Sequence, residues 1–264
     1  MGDSAQVAPP VVANDLAFTD LWAALAAGWH DFITCPIVGL ALAAIYVAGG
    51  WLLYFAFYRM GQVAWLVPAA GGFPIIAPLV AVGLYEASRT REAGGRPGWG
   101  TVAAGVRGRG DDQVLMLAGF LFVGVTFWII IAHGIFAIFL SESGLGTESL
   151  ALFATPAGIA MLAVGGAVGA LLAFLFYAVT VVSLPLLIDR EVDFLTAMMV
   201  SMAAVRNNFA VMLGWGLIIA VGLGLAMLPL FLGLFVVLPV LGHATWHIYR
   251  RVARNAEMAF RPPG

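Results

Sequence analysis

The chain has 264 residues, of which 62% are hydrophobic and only 10% are charged. Soluble domains carry about 25% charged residues, so this composition excludes a soluble globular protein and predicts a polytopic membrane protein. The formal net charge is -2, and all twelve basic residues are arginines. The absence of lysine, together with abundant alanine and glycine, is typical of a bacterial genome rich in G and C.

Six apolar stretches are long enough to cross a bilayer, since each crossing needs about 20 residues. In chain order, four are predicted at residues 37–58, 63–85, 114–140 and 156–188, and two more lie within residues 209–249. This last segment is too long for one crossing at 1.5 Å per residue, so we predict that it folds back near Pro229. The expected fold class is an all-α membrane protein with six transmembrane helices.

The arginines predict the orientation of these spans. The segments 1–36, 86–113, 189–208 and 250–264 lie on one side and hold eleven of the twelve arginines. The other side holds only Arg59. Basic residues mark the cytoplasmic side, so both termini are expected in the cytoplasm of a multi-pass protein of the bacterial inner membrane.

The domain organisation follows from the same pattern. We expect a disordered N-terminal tail at residues 1–14, one six-helix transmembrane domain at 15–254 and a C-terminal tail at 255–264. The N-terminus lacks the positive and apolar regions of a signal peptide. The first segment of the domain is predicted to be an interfacial helix. It carries an apolar stripe at helical spacing, formed by Phe18, Leu21, Trp22, Leu25, Trp29 and Phe32, with Asn14 as its N-cap.

A threefold pattern runs through the chain and predicts three repeats of an interfacial helix followed by a transmembrane hairpin. A short helical segment precedes each odd-numbered span, and each even-numbered span ends with proline, an apolar residue and then polar residues. Alignment on Pro78, Pro185 and Pro239 places Glu86, Asp193 and His247 at one offset, and Asp189 and His243 at another.

Several stretches resemble one protein family, among them "GWHDFITCPIVGL", "GLYEASR", "PLLIDREVDFLTAMMVS", "AVRNNFAVMLGWG" and, most specifically, "GHATWHIYR". The chain resembles, from about residue 20 to residue 251, an uncharacterised group of bacterial predicted integral membrane proteins defined by a domain of unknown function. The resemblance implies an inner-membrane fold of about six spans, with no assigned activity and no assigned site residues.

Some members of that group are labelled as similar to a cytochrome c oxidase subunit. The catalytic subunit of a haem-copper oxidase needs six histidines for its haems and copper. This chain has four histidines, and His30 lies outside every predicted span. The chain is therefore not expected to be that subunit, whereas an accessory role beside such a complex stays open.

The pair His243 and His247 lies four residues apart, which places both on one face of a helix. Glu86, Asp189 and Asp193 are predicted at the same cytoplasmic end, and two histidines with a carboxylate form a known zinc arrangement. Ala244 stands where a hydrolytic zinc motif would have glutamate. The open alternatives are a divalent metal, a haem, and hydrogen bonds from the histidines to carboxylates or backbone at a helix end.

A third histidine, His133, lies inside a predicted span toward the outer leaflet. Helical rise separates it by about 20 Å from His243 and His247, so the three cannot share one metal. Intramembrane ionisable groups are functional candidates. The alternatives for His133 are an interhelical hydrogen bond and a contact with a proton, an ion or a cofactor.

The chain lacks a Ser/His/Asp set or a phosphate-binding loop in a recognisable context, which argues against an enzyme, and its short loops argue against nucleic-acid binding. We therefore expect a non-catalytic scaffold or accessory subunit, with the lipid bilayer and a larger membrane complex as partners and no cofactor. Two alternatives stay open. One is a small transporter or channel, favoured by the prolines and glycines that interrupt the second span. The other is a redox component that binds haem or a divalent metal.

Overall fold

A computed structural model describes residues 12–107, 112–140 and 150–259, and within these ranges the chain is helical and has no β-strand. The short 3-10 turns Val63–Trp65 and Leu150–Ala154 connect some of the helices. The helices are α1 (Phe18–Thr34), α2 (Pro36–Arg59), α3 (Leu66–Glu92), α4 (Trp99–Arg107), α5 (Gln113–Leu140), α6 (Pro156–Thr180), α7 (Ser183–Asp189), α8 (Phe194–Asn207), α9 (Phe209–Met227) and α10 (Leu234–Ala259).

Within the described ranges, four helical segments are long and apolar enough to cross a membrane. They are Pro36–Arg59, Gln113–Phe139, Pro156–Asp189 and Phe209–Met227. The helices α3 and α10 occupy the places of the second and sixth predicted spans. From His243 onward α10 carries two histidines, three arginines and one glutamate, which makes it more polar than the other long helices. The count of six spans stays a prediction.

The chain reverses between α9 and α10, which confirms the turn predicted near Pro229. Leu230 and Phe231 adopt left-handed backbone angles there, with φ of 51° and 66°, which costs free energy for residues with a side chain. Neighbouring contacts hold this turn: the indole N–H of Trp51 donates to the Leu230 carbonyl at 2.8 Å. The Phe231 ring packs so closely on Gly50 that an added Cβ there would lie 2.9 Å from the ring.

The long apolar segment at 156–188 is divided into α6 and α7 at Val181 and Val182, just before Pro185. The ring of a proline clashes with the carbonyl four residues earlier, and a proline has no N–H to donate. The hydroxyl of Ser201 on α8 occupies the break. It donates to the Ala178 carbonyl at 2.7 Å and accepts from the Val182 N–H at 3.1 Å, two groups that would pair with each other in an unbroken helix.

The second predicted span, in contrast, does not unwind. The helix α3 runs without interruption from Leu66 to Glu92 through its prolines and glycines. It therefore lacks the unwound backbone that a broken helix offers to a substrate.

The three short helices α1, α4 and α8 lie where the sequence predicts them. Their main packing partners are long helices other than the span that each precedes: α1 packs on α10, α4 packs on α3, and α8 packs on α6 and the short α7. A small residue makes each close approach. Gly28 meets the backbone of α10, Gly105 meets the backbone of α3, and Ser201 bonds to the backbone of α6.

The inward face of α1 differs from the predicted one. Leu21, Ala24, Gly28, Asp31 and Phe32 are buried, whereas the aromatic residues Phe18, Trp22 and Trp29 of the predicted stripe are about half exposed or more. In a membrane protein the surroundings of the bundle are also apolar, so small and polar residues select the packing face. Asn14 is not the N-cap: the helix begins after Ala17, whose N–H donates to the Asp20 carboxylate at 2.9 Å.

The segment before α1 is held against the bundle by Asn208. The Asn208 side chain donates to the Ala13 carbonyl at 2.7 Å and accepts from the Leu16 N–H at 3.1 Å, and Ala13 is buried. Residues 1–11 of the predicted N-terminal tail lie outside the described residues. The predicted C-terminal tail begins inside α10, and residues 260–264 of it also lie outside the described part.

We predict that Gly28→Ala separates α1 from α10. An added Cβ would lie 2.6 Å from both the Ala244 nitrogen and the Val240 carbonyl oxygen, and backbone atoms cannot rotate away. The expected loss in the free energy of unfolding is about 1–3 kcal/mol, measured by thermal unfolding in detergent. The control is Gly224→Ala, because nothing lies within 4 Å of its added Cβ. An equal loss in both variants would contradict the close packing of α1.

Candidate functional site

The largest polar cluster of the described chain surrounds Asp31, where α1, α3 and α10 meet at one end of the bundle. The Asp31 carboxylate is only 7% exposed and accepts hydrogen bonds from three groups. The Ser88 hydroxyl donates to Oδ2 at 2.6 Å, and Nε2 of His247 lies 2.9 Å from the same oxygen. The Arg91 guanidinium pairs with Oδ1. One carboxylate therefore ties α1 to two other helices.

A buried branch of the cluster leads from Asp31 through Ser88 to His243. The Ser88 Oγ lies 2.7 Å from Nδ1 of His243, and both residues are almost fully buried. Ser88 has one proton, and an ionised carboxylate can only accept. The hydroxyl proton therefore goes to Asp31, and Nδ1 of His243 must donate its own proton to the Ser88 oxygen.

This assignment leaves the other ring nitrogen, Nε2 of His243, as the unprotonated one. It is buried and has no hydrogen-bond partner among the described residues. A buried polar atom without a partner loses its interaction with water and gains nothing in return. Burial also disfavours the charged imidazolium, so His243 presents a neutral ring with a free lone pair.

An outer branch connects His247 to the surface. Nδ1 of His247 lies 3.7 Å from the Glu92 carboxylate, and Glu92 also pairs with Arg250 at 3.2 Å. The guanidinium of Arg250 reaches Asp189 at 3.4 Å, and the Tyr249 hydroxyl donates to the same carboxylate at 2.7 Å. These contacts join α10 to the ends of α3 and α7.

The cluster is balanced in charge. Glu86 pairs with Arg89 through two hydrogen bonds of 2.6 and 2.5 Å. The pair Arg190 and Asp189 is looser, at 3.9 Å. Four carboxylates thus face four guanidinium groups, and the cluster is neutral when both histidines are neutral. The carboxylates are those of Asp31, Glu86, Glu92 and Asp189, and the guanidinium groups are those of Arg89, Arg91, Arg190 and Arg250.

Burial raises the pKa of Asp31 by less than its hydrogen bonds and the nearby histidines together lower it. Burial alone would raise the pKa of Asp31, but the hydrogen bonds from His247 and Ser88 and the nearby histidines hold this pKa below its ordinary value of 3.8. The carboxylate therefore stays ionised at neutral pH, which the arrangement of donors around it requires.

Ser88, His243 and Asp31 do not form a catalytic triad. In a hydrolytic triad the histidine bridges the serine and the carboxylate and accepts the serine proton. Here the serine bridges the two other groups, and the histidine donates to it. The hydroxyl is held by an acceptor and a donor, so no base is placed to activate it.

The structure distributes the five predicted metal-site residues over several contacts. His243 and His247 both join the Asp31 cluster, and Asp189 reaches it through Arg250. Glu86 pairs with Arg89, whereas Asp193 caps α8 by accepting from the Thr196 N–H at 2.9 Å. In the part of the chain that the structure describes, no group of three His, Cys, Asp or Glu side chains is arranged for a metal ion.

His133 lies in a different part of the molecule. Its ring stacks on Trp65, with the centroids 4.1 Å apart, and Trp65 stacks in turn on Phe136. Trp65 precedes α3, whereas Ser88 lies near the other end of that helix, roughly 33 Å away at 1.5 Å per residue. His133 is therefore far from His243.

Sequence reasoning missed most of the cluster, including Asp31, Ser88, Arg91 and Glu92. A signal for Asp31 exists in the sequence. It follows Leu21, Ala24 and Gly28 at helical spacing, which places it on the small-residue face of α1. Nothing in the sequence points to Ser88, because a serine in a membrane protein is ordinarily satisfied by its own helix.

A family model described as "Predicted integral membrane protein (DUF2189)" matches residues 66–189, from the start of α3 to the end of α7. No curated protein and no solved structure matches the chain. The match and the apolar helices agree that the chain is an integral membrane protein with transmembrane helices, similar to an uncharacterised family. The matched residues include Ser88 and Arg91 but neither Asp31 nor the two histidines of α10.

We predict that Asp31→Asn lowers the free energy of unfolding by about 1.5–3 kcal/mol, the value of hydrogen bonds to a charged group. The amide keeps the shape of the side chain but leaves Arg91 and His247 without a charged acceptor. The measurement is thermal unfolding of the purified protein in detergent. Asp15→Asn is the control, because the Asp15 side chain pairs with Arg251 while 57% exposed. A loss no larger than the control's would contradict the central role of Asp31.

We also predict a specific dependence on acidity. The pKa of Asp31 is lower in the folded chain than its ordinary value of 3.8, so the unfolded state binds more protons between the two values. The stabilisation by the ionised Asp31 carboxylate is therefore complete above about pH 4, and it is lost as the pH falls through the pKa of the folded state. The difference in melting temperature between wild type and Asp31→Asn should shrink on acidification from pH 6 to pH 3. A constant difference would refute the assignment.

Proposed function

We propose that the protein is a non-catalytic component of the bacterial inner membrane that acts as a scaffold or accessory subunit of a larger membrane complex. The resemblance to oxidase-associated sequences makes a respiratory complex the first candidate. The proposal rests on one observation: several glycines of the candidate spans lie on the outer surface of the bundle, where no other part of the described chain packs against them.

Gly119 and Gly134 of α5 are exposed, and an added Cβ at either would meet nothing within 4 Å. Residues 15 apart differ by only about 60° around a helix, so both glycines lie on one face. Glycine inside a helix costs about 0.5–1 kcal/mol relative to alanine. Packing within the chain does not use these two, whereas small residues let a helix of another protein approach closely.

The burial of the spans supports the same conclusion. In three of the four candidate spans, 28% of the most apolar window is buried inside the chain. Gly49 of α2 and Gly224 of α9 also have open space around an added Cβ. The charged groups of the Asp31 cluster, in contrast, pair with one another within the chain, which fits a structural role better than catalysis.

We predict that the chain purified from its native membranes in mild detergent migrates on a native gel well above its own 27.8 kDa, together with a second membrane protein. The double variant Gly119→Leu and Gly134→Leu should release it, because two bulky side chains block the approach of a partner helix. Mass spectrometry of the band identifies the partner.

The matched control is Ala163→Leu, a small-to-large change at an exposed position of α6. It should leave the complex intact. A single species of the chain's own mass in the unmodified sample would contradict the proposal. A band that contains only copies of this chain would replace the accessory role with self-association.

A small transporter or channel is the second candidate, favoured by two apolar cavities along α6. Thermal stabilisation of the isolated protein by an apolar compound would support it. A metal- or haem-bearing role, with His243 and His247 as ligands beside Glu86, Asp189 or Asp193, is favoured only by the free Nε2 of His243. An optical spectrum and a metal analysis of the pure protein test it, and a colourless, metal-free sample would rule it out.

A further inference from the structure

Two apolar cavities follow α6 along the bundle. The first lies between α3, α5 and α6 and has a volume of about 300 Å³, with Trp128 and Phe136 in its wall. The second lies between α3, α6, α9 and α10 and has a volume of about 290 Å³. Ala170 and Ala173 line both cavities, so the cavities adjoin. We call the combined space the α6 cleft.

Neither part of the cleft has a charged side chain in its described lining. The indole N–H of Trp128 donates to the Pro68 carbonyl at 2.8 Å. The hydroxyls of Tyr177, Thr180 and Thr245 donate to backbone carbonyls at 2.6 to 2.8 Å, and Tyr85 supplies the remaining hydroxyl. A polar occupant would lose its contacts with water and find few partners in return.

The width of the cleft is maintained by aromatic side chains. Trp128 stands between α3 and α6, and an added Cβ at Gly72 or Gly169 would come within 2.9 Å of its ring. Tyr177 of α6 bonds to the Met212 carbonyl of α9 and fixes the spacing of these two helices at one end. The small residues of the walls therefore do not close on each other.

The size of the cleft decides between occupants. An α-helix with side chains is 10–12 Å wide, so a helix that followed the cleft for roughly 30 Å would fill about 2,400 Å³, which is far more than the two cavities hold together. Water needs two to four polar partners in a buried site, and the walls do not offer them. A hydrocarbon chain is narrow enough for this volume and needs no polar partners. The lining from Met161 to Val181 extends roughly 30 Å along α6.

The cleft is continuous with the membrane-facing surface. Leu162 on its first part and Leu213 and Leu217 on its second part are both lining residues and exposed. They belong to α6 and α9, which are candidate spans. A chain of a bilayer lipid can therefore enter sideways, without crossing a polar surface.

We propose that the α6 cleft binds an acyl chain of a membrane phospholipid. The chain lies along α6 between α3 and α9, and its headgroup stays at the bilayer surface. This site does not depend on whether the protein joins a larger complex.

The test uses the full chain reconstituted in phosphatidylcholine vesicles that contain a phosphatidylcholine with a photoactivatable diazirine in its acyl chain. After illumination, peptide mass spectrometry locates the labelled residues. Leu223 and Leu238 line the cleft but are only 3% and 5% exposed, so bilayer lipid outside the cleft cannot reach them. We expect both to be labelled, together with the exposed Leu171.

Ala173→Phe places a ring in both cavities, which Ala173 lines, and should strongly reduce labelling of Leu223 and Leu238 while Leu171 stays labelled. Ala167→Phe is the matched control, because Ala167 is exposed on the same helix and does not line the cleft. If Ala173→Phe does not fold, Ala220→Phe blocks the cleft from α9. Labelling confined to exposed residues in the wild type, or unchanged labelling in the blocked variants, would overturn the proposal.

Discussion

The Asp31 carboxylate is the contact on which the arrangement of the polar end depends. It is buried, yet it stays ionised because a hydroxyl, an imidazole and a guanidinium donate to it from α3 and α10. A buried charge is stabilising only when its partners saturate it. The short helix α1 must therefore lie where Asp31 reaches all three donors. The close approach of Gly28 to the α10 backbone allows α1 to lie there. Packing and electrostatics select the same geometry.

The same combination of close packing and polar contacts holds other helices of the bundle together. Small residues bring helices together, as at Gly28 and Gly105, and single hydroxyls complete the backbone where a helix breaks, as Ser201 does beside Pro185. Many large apolar side chains face outward, while others, such as Trp215 and Trp246, fill the core. This ordering follows from the solvent, because a bilayer attracts leucine as well as a protein core does and leaves close packing and polar contacts to hold helices together. The α6 cleft stays open because Trp128 and Tyr177 keep its walls apart.

Much of the secondary structure was readable in advance, because apolar runs, prolines and their spacing act locally. The three short helices, the turn near Pro229 and the all-helical class follow from such signals. The break at Val181 was not predicted, because the run is apolar throughout and the internal prolines of α3 and α10 leave those helices unbroken. Only part of the predicted apolar stripe of α1 faces inward, since hydrophobicity alone cannot separate a protein-facing from a lipid-facing stripe. The threefold repeat stays a prediction.

The sequence by itself determined that this is an all-helical membrane protein with two histidines on one polar helix end. That conclusion rests on composition and on periodicity, which involve neighbours along the chain. Only the tertiary structure decided what those histidines contact. Asp31 and Ser88 are 216 and 155 residues away from His247 and His243 along the chain, and no local pattern links residues at such separations. The partners of a buried charge are fixed by which helices touch, and that is a property of the assembled bundle.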